Sequence, residues 1–535
     1  MNDIYDKLMA VAKRRGFLYP SYEIYGGEAG FYDYGPLGSL LKNNIENVWR
    51  KFYISQEGFY EISTPVITPY EVLKASGHVD EFIDEIGTCI KCNASFKVEE
   101  LKDEKCPICG GRVKKGKLNL MFETFIGAKK NKHAFLRPET AQGIFVNFPM
   151  LYEFFRRKIP FGVVQIGKGF RNEVSPRQGI IRLREFSMAE AEIFFSEEKK
   201  KHHRFMEIKE EEMRLLLNEE EMKMKLGEAV ETGIIGNEAL AYYMALTKNF
   251  LLTVGIDENK LRFRKHKEDE LAHYANECWD AELYSERFGW IECVGIADRS
   301  AYDLQAHMKA SGAEMRVFEK YEEPRIEKRK VIRLKMDKIG PIFKDKAKIV
   351  KEKLENMEIV NEEKITVEID GKVYEIGKEL YEIEEIEEKV TGRRYIPHVI
   401  EPSYGIDRIF YFILEHNYKE TKKEGEKYVI LSLPACIAPI KAGVFPLVNK
   451  DGLPEIAREI EKGLRKKGIM VVYDDSGSIG RRYARMDEIG TPFCVTVDYQ
   501  TKEDDTITIR FRDTTEQIRL QRQKLADWLK ERIEF

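Results

Sequence analysis

Two cysteine pairs constrain the folding of this chain more tightly than any other feature. Cys89-x-x-Cys92 and Cys106-Pro-Ile-Cys109-Gly110-Gly111 are separated by thirteen residues. Two such knuckles supply four thiolates to a tetrahedral zinc ion, and the glycine pair after the second lets backbone N–H groups approach sulfur. A closed four-thiolate shell leaves no open coordination position, so the expected metal is structural. Half of the chain's eight cysteines lie in this stretch, which is metal spacing and not a disulfide framework. Four unligated thiols in a polar loop are the alternative reading.

With 535 residues, 43% of them hydrophobic, and 88 basic against 92 acidic side chains, the chain is neither a disordered tail nor a fibrous repeat. It is long enough for several independent cores. A formal net charge of −4 does not exclude a nucleic-acid partner, because phosphate contacts need only a local basic patch. No long uncharged apolar window occurs, and MNDIYDKLMAVAKRRG lacks the features of a secretory signal, so a cytoplasmic location is expected.

Leu37, Leu40, Leu41, Ile45, Val48 and Phe52 recur at helical spacing after Pro36, which predicts an amphipathic helix over 36–57. A short strand near 59–67 and a helix opening at Pro138-Glu139-Thr140 flank the cysteine cluster. FGVVQIGKGFRNE and IIRLREFSMAEAEIFF read as antiparallel strands joined by the turn-rich residues 174–179. The densely charged stretch 197–230 is predicted helical, as are 236–254 and a segment around 298–310 that follows the strand GWIECVGIA. Residues 313–396 turn rich in Lys and Glu and carry ITVEI-Asp370-Gly371-KVYEI, a hairpin signal, which marks an inserted module. HVIEPSYGIDRIFYFILEH then reads as a strand and a helix. From about 426, strands alternate with helices at 454–467 and 479–489 and a closing helix, which indicates a separate α/β domain.

Strand alternation groups Arg171 with Glu173, and Arg182 with Arg184 and Phe186. Guanidinium, carboxylate and aromatic groups on one face suit a nucleoside triphosphate: Arg grips phosphate bidentately, Glu accepts from an exocyclic amine, and Phe offers a stacking plane. A surface ion-pair ladder has the same residue pattern. In Glu401-Pro402-Ser403-Tyr404-Gly405-Ile406-Asp407-Arg408, the arginine falls in a first helical turn, where a cation opposes the helix dipole unless an anion lies near. An arginine facing water is the other reading.

These elements occur in a known order. Residues 171–190 resemble the second signature motif of the class II aminoacyl-tRNA synthetases, 401–408 the third, and 36–67 the first, which builds the dimer interface. YPSYEIYGG, FYDYGPLG, ASGHVDEF, NLMFETFIG, LRPETAQGIFVNF, QIGKGFRNEVSPRQGIIRLREF and WIECVGIADRSAYDLQAH resemble the glycyl-tRNA synthetase family of the dimeric archaeal and eukaryotic kind. GSIGRRYARMDEIGTPF resembles the anticodon-binding domain which that family shares with the threonyl, prolyl and histidyl enzymes.

The resemblance implies an α+β protein with an antiparallel-sheet catalytic domain formed by 1–312 and 397–422. A zinc-binding insertion at 86–116, a tRNA-contacting α/β module at 313–396 and an α/β anticodon-binding domain at 426–535 complete it. ATP with magnesium, structural zinc, glycine, tRNA(Gly) and a second copy of the chain are the implied cofactors and partners, with no membrane. The implied reaction is ATP-dependent attachment of glycine to the tRNA 3′ end through a glycyl-adenylate.

Carried onto this sequence, the resemblance makes Arg171 and Arg408 catalytic, with Arg171 on the α-phosphate. Glu173 takes the adenine amine, Phe186 and Arg408 stack on the two adenine faces, and Arg182 reaches the outer phosphates, with Asn172 and Leu183 in the same site. Glu292 and Cys293 line the ATP and magnesium site, Glu292 as a magnesium ligand. Glu139, Glu190, Glu401, Pro402 and Ser403 form the glycine pocket. Carboxylates grip an ammonium, and packed groups exclude an added methyl. No amino acid is smaller than glycine, so no editing domain is required.

The alternatives are a non-catalytic synthetase-like accessory subunit that binds nucleic acid, or a class II synthetase of threonyl or prolyl specificity. A relic of the first kind would be expected to lose its ATP-site charges, yet Arg171, Glu173, Arg182, Phe186, Glu292 and Arg408 all stand. Lys462, Arg465, Lys466 and Lys467 read as a solvated helix face. Arg481, Arg482 and Arg485 read as phosphate-facing beside a glycine turn. His78 has either a structural or a substrate-positioning role.

Overall fold

The computed structural model describes residues 3–534 apart from 99–100, 102–104, 175, 177–178, 268, 273–274, 356–364, 370–371 and 424. The chain divides into two compact units, Met1–Met315 with Ile396–Phe535, and Arg316–Tyr395.

In the larger unit, helix α1 (Pro36–Arg50) opens with a proline in its first turn and continues as a π-helical turn over Lys51–Gln56. The strands that follow are β1 (Tyr60–Glu61), β2 (Phe161–Phe170), β3 (Glu185–Phe195), β4 (Glu212–Leu217) and β5 (Glu220–Lys225). After helix α2 (Glu238–Thr253) come β6 (Leu261–Lys265), β7 (Glu277–Ser285) and β8 (Gly289–Ser300), helix α3 (Tyr302–Ser311), β9 (His398–Gly405) and helix α4 (Ile406–His416). Among the described residues these strands form one sheet in the order β5-β4-β6-β7-β8-β9-β3-β2-β1. All neighbours are antiparallel except β1 with β2 and β4 with β6.

One face of the sheet is apolar and carries the core. Ala189, Ala191 and Ile193 of β3, and Ile400 and Tyr404 of β9, alternate onto it and join a buried cluster with Trp49 and Phe250. The Tyr404 hydroxyl is satisfied there by Tyr53 at 2.8 Å and Thr247 at 2.7 Å. The opposite face of the same strands carries Phe186, Met188, Glu190, Glu192, Glu401 and Ser403. Period two thus separates core from chemistry residue by residue.

The helix expected over 197–230 is not formed. Helical turns there are confined to Glu197–Lys199, Phe205–Ile208 and Leu226–Glu231, and β4 and β5 occupy the rest as a hairpin. Met213 and Leu215 are buried in alternation, while Asn218 and Glu219 take φ of 46° and 73°, as a tight two-residue turn requires. High Lys and Glu content suggested a helix, but the apolar period is two.

The C-terminal region holds β10 (Ala442–Pro446), α5 (Leu453–Lys466), β11 (Val471–Tyr473), α6 (Ile479–Glu488), β12 (Phe493–Val497), β13 (Thr506–Phe511), β14 (Gln517–Gln521) and α7 (Leu525–Ile533). The strand order is β11-β10-β12-β13-β14, and Leu453, Ala457, Ile460 and Leu464 form the buried stripe of α5.

The unit Arg316–Tyr395 pairs the long antiparallel strands Val317–Leu334 and Tyr381–Tyr395. It has its own core, including Ile339, Val350, Leu354 and Val367. Ile365–Ile369 pairs with Lys372–Ile376 as expected of a hairpin, and the turn at Asp370 and Gly371 lies outside the described residues. No helix of the described residues is long and apolar enough to cross a membrane.

Candidate active site

A cleft opens on the polar face of the sheet where β2, β3, β8 and β9 meet α4. Gly169 of β2 stands opposite Phe186 of β3, and a Cβ on Gly169 would come within 2.6 Å of the Phe186 ring. Glycine therefore lets the ring occupy the space over the neighbouring strand, making a flat apolar platform. Arg171 directly follows β2, with its guanidinium 5.3 Å from the Phe186 ring centre, 5.1 Å from that of Phe82, and its Nε 3.4 Å from the Pro138 carbonyl.

Arg182 and Arg184 do not share a strand face as alternation suggested. A 3-10 turn over Gly179–Ile181 precedes them and β3 begins only at Glu185, so strand periodicity does not govern their directions. Arg182 and Leu183 line the cleft with Arg171, Glu173 and Phe186. Arg184 turns away to Glu28 at 2.8 Å and the Ala29 carbonyl at 3.0 Å. Asn172 likewise lines the neighbouring cleft with Ser95, Leu118 and Arg184, outside the set around Phe186. Glu173 Oε2 is buried and accepts no hydrogen bond among the described residues, and Lys97 Nζ stands 4.0 Å from it. An acceptor in that state suits an incoming amine.

The opposite wall is Glu292 and Cys293 of β8 with Gly405 and Arg408. Arg408 Nε donates to the Ile181 carbonyl at 3.1 Å, and its Nη1 lies 3.5 Å from Glu292 Oε2. Two arginines more than two hundred residues apart in sequence thus line one cleft. Burial pushes the Cys293 thiol up and its Sγ donates to the Ile291 carbonyl, so it lines the cleft as a neutral thiol.

Behind Arg171 the same face becomes acidic. Glu190 and Ser403 are cross-strand partners, and Ser403 Oγ donates to Glu190 Oε1 at 2.7 Å. Thr140 donates to the other oxygen of Glu190 through its backbone N–H at 2.7 Å and through its hydroxyl. Arg299, 1% exposed, bonds Asp303 through Nε at 2.8 Å and Nη2 at 2.9 Å, and Glu401 through Nη1 at 2.8 Å. Glu139 lies 3.9 Å from Arg299, 3.3 Å from His78 Nε2, and accepts from Gln142 at 3.0 Å. Gln142 also bonds Asp303 at 2.9 Å and His307 at 2.8 Å.

Burial opposes every charge here, and the partners decide the outcome. It would raise Glu139, but His78, Arg299 and Gln142 outweigh it and hold that carboxyl well below the usual range. Burial raises Glu190, with the charge of Glu139 adding to it, against the hydrogen bonds of Thr140 and Ser403. Burial, with Glu190 and Glu139, pushes Glu401 up to about 8 although Arg299 pulls it down. A surplus of acidic groups around one guanidinium is an arrangement that a small cation would stabilise.

Pro402 does not join this group. It shares the face of β9 with Tyr404, opposite Glu401 and Ser403, because consecutive strand residues point to opposite sides.

Residues 124–417 match the tRNA synthetase class II core domain (G, H, P, S and T), and residues 436–532 match the anticodon binding domain. A glycine–tRNA ligase of Methanocaldococcus jannaschii is 52% identical, with 99% of each chain covered. Those of Thermococcus sibiricus and Methanothrix thermoacetophila are 48% and 47% identical, covering 100% and 99% of this chain and 99% and 97% of their own. The chain belongs to the glycine–tRNA ligase family. It attaches glycine to tRNA. The accessory-subunit and threonyl or prolyl readings find no support in these relatives.

The ligase's cysteine cluster has the geometry of a metal site. Cys89 and Cys109 sulfurs stand 3.5 Å apart, Cys92 and Cys106 3.6 Å, and Cys92 and Cys109 3.5 Å. A tetrahedron with Zn–S bonds of about 2.3 Å has sulfurs about 3.8 Å apart, so the four thiols fit zinc with little adjustment. A Cβ on Gly111 would lie 3.0 Å from Cys89 Sγ and 3.3 Å from Cys109 Sγ, which explains the glycine after the second knuckle. Cys106→Ser with Cys109→Ser is expected to release about one zinc per chain and to raise proteolytic cleavage within 86–116. Metal analysis of parent and variant, showing no zinc in the parent, would contradict this.

A second trio, His266, Cys278 and Asp280, gathers its ligand atoms within 4.8 Å of one another, but Asp280 already pairs with Arg264 at 2.8 Å, an ion pair that opposes a cation. In the ligase's anticodon-binding region Arg482 is not phosphate-facing. It is buried and donates to the carbonyls of Pro446, Asp475 and Gly477. Arg485 is bound to Asp474 and Arg465 to Glu461, while Arg481, Lys462, Lys466 and Lys467 are exposed.

Sequence reasoning missed Arg299, Asp303, Gln142, His307 and Glu192. The available signals were the Arg299 to Asp303 spacing, an i,i+4 pair at a strand-to-helix junction, and the position of Gln142, Arg299, Asp303 and His307 inside the family-like segments LRPETAQGIFVNF and WIECVGIADRSAYDLQAH.

Proposed function

We propose that the cleft around Phe186 holds ATP and that the acidic group beside it holds glycine. The observation that carries this reading is the continuity of one sheet face, from Phe186 and Arg171 to Glu190, Ser403 and Glu401. Adenine lies on Phe186 with its amine toward the Glu173 carboxylate. Arg171 and Arg408 neutralise the α-phosphate, and Arg182 the outer phosphates. Glycine's ammonium is bound by Glu190, Glu401 and Ser403 with Glu139 behind, and its carboxylate points at the α-phosphorus. Glu292 carries a hard oxygen donor at the cleft wall, suited to the magnesium that accompanies ATP.

The carboxylate attacks phosphorus and pyrophosphate leaves; the tRNA terminal 3′-hydroxyl then attacks the glycyl carbonyl, loses its proton, and AMP leaves. The attacking group is already ionised, so the first step rests on orientation and charge neutralisation without a general base.

The zinc knuckle is structural, and the 313–396 module contacts tRNA. The catalytic portion spans 1–312 and 397–422, and the anticodon-binding portion 426–535. The ligase works in the cytoplasm as a homodimer through the first-motif region 36–67, where exposed Tyr60 packs edge-on against exposed Phe154 and the two supply apolar surface. Pyrophosphate exchange with each amino acid tests the site: exchange with glycine alone is expected, and exchange with alanine at comparable efficiency would contradict the small acidic pocket.

A further inference from the structure

Glu192 is fully buried on β3, two residues beyond Glu190 and so on the same face, and neither of its carboxylate oxygens receives a hydrogen bond from an N–H or hydroxyl among the described residues. Glu401 stands opposite it on β9, in the register that pairs Glu190 with Ser403 and Ile193 with Ile400, which brings the two carboxyls within hydrogen-bonding reach. Two ionised carboxylates can only accept, so the contact requires a proton between them. Arg299 Nη1 bonds Glu401 at 2.8 Å and favours its ionised form, whereas Glu192 has no such bond. The proton therefore belongs to Glu192.

We propose that Glu192 is a positioning residue: it stands as a neutral carboxylic acid and donates a hydrogen bond to Glu401, orienting the carboxylate that meets the glycine ammonium. The role rests on the reading of the acidic group as the glycine pocket. The groups facing this pair are Glu190 on β3, Arg299 on β8, Asp303 on α3 through Arg299, Cys278 on β7, and Glu139, itself held by His78. Burial and the neighbouring Glu401 and Glu190 keep Glu192 well above the ordinary carboxyl range, while its hydrogen bond lowers Glu401.

The test is glycine-dependent pyrophosphate exchange by the full-length chain with Glu192→Gln and Glu192→Leu, across pH. The Gln amide can donate the same bond, so its glycine KM is expected to stay within about threefold of the parent, a change well below the loss of a charged hydrogen bond. Leu cannot donate, and is expected to raise the glycine KM by about 10–100-fold with the ATP KM unchanged. Losing the donor also moves the Glu401 inflection in the glycine KM profile to higher pH in Glu192→Leu and not in Glu192→Gln.

If Glu192→Gln impairs glycine binding as much as Glu192→Leu, Glu192 acts as a charge and the proposal fails; it fails too if neither variant changes KM. Should Glu192→Leu not fold, infrared difference spectra decide: a protonated-carboxyl stretch at neutral pH that disappears in Glu192→Gln supports the proposal, and its persistence overturns it. Glu190→Gln separates the two claims. An unchanged glycine KM there would remove the pocket reading itself, whereas a raised KM beside a silent Glu192→Leu removes the role of Glu192 alone.

Discussion

Arg171→Ala is expected to lower glycine-dependent pyrophosphate exchange by at least about 10²–10³-fold, the cost of removing one preorganised donor from a developing charge. The side chain is held above Phe186 and beside Pro138 before any ligand arrives, so its charge is placed without reorganisation. It faces the same cleft as Arg408, which is anchored by backbone and by Glu292. Folding should be nearly untouched, because Arg171 is partly exposed and its described contacts are ring faces and one long hydrogen bond. Circular dichroism, tRNA binding and exchange rates on the same preparation separate the two effects. Exchange at the parental rate would contradict the placement of ATP.

Arg299→Met is expected to act on stability instead. Arg299 is buried and compensates Asp303, Glu401 and, at longer range, Glu139. Removing it leaves those carboxylates buried without their cation, a loss of about 3–5 kcal/mol for breaking a buried ion pair. In a unit of this size such a loss lowers the melting temperature by roughly 5 °C.

The pH dependence has a definite sign. Burial raises the Glu192–Glu401 pair, Glu401 to about 8, above the value of about 4.3 for an unfolded glutamate, so between these values the folded pair keeps a proton, borne by Glu192. That contribution to stability is complete below about pH 4.3 and declines as pH rises to the folded value. Without Arg299 the folded value moves higher still, so the decline continues further and the gap between variant and parent widens above pH 8. Thermal melts of both proteins at pH 7 and 9 measure this. A variant that melts with the parent would show that Arg299 carries no buried charge balance.

What the sequence made legible followed from periodicity and from motif order. The strand at 161–170, the strand and helix at 398–416, and the alternating C-terminal elements all appear where the apolar pattern put them. The hairpin at 212–225 did not, because charged residues with strong helix propensity masked an apolar period of two.

At the site, Arg171, Glu173, Arg182, Phe186, Glu292 and Arg408 were nameable, and the structure brings them to one cleft. The direction of Arg184 was not, since it precedes the strand and answers to Glu28, distant in sequence. The network of Gln142, His307, Arg299 and Glu192 was illegible for another reason. Gln142, Glu192 and the segment from Arg299 to His307 are far apart in the chain, and their contacts arise only when the sheet and α3 bury them together.

The central claim is that one continuous sheet face seats both substrates, and a structure with a non-hydrolysable glycyl-adenylate analogue tests it most directly. The account requires adenine on Phe186, the phosphate mimic between Arg171 and Arg408, and the ammonium within hydrogen-bonding distance of Glu190, Glu401 and Ser403. An analogue bound with its ammonium away from those three residues, or with adenine off Phe186, would contradict it.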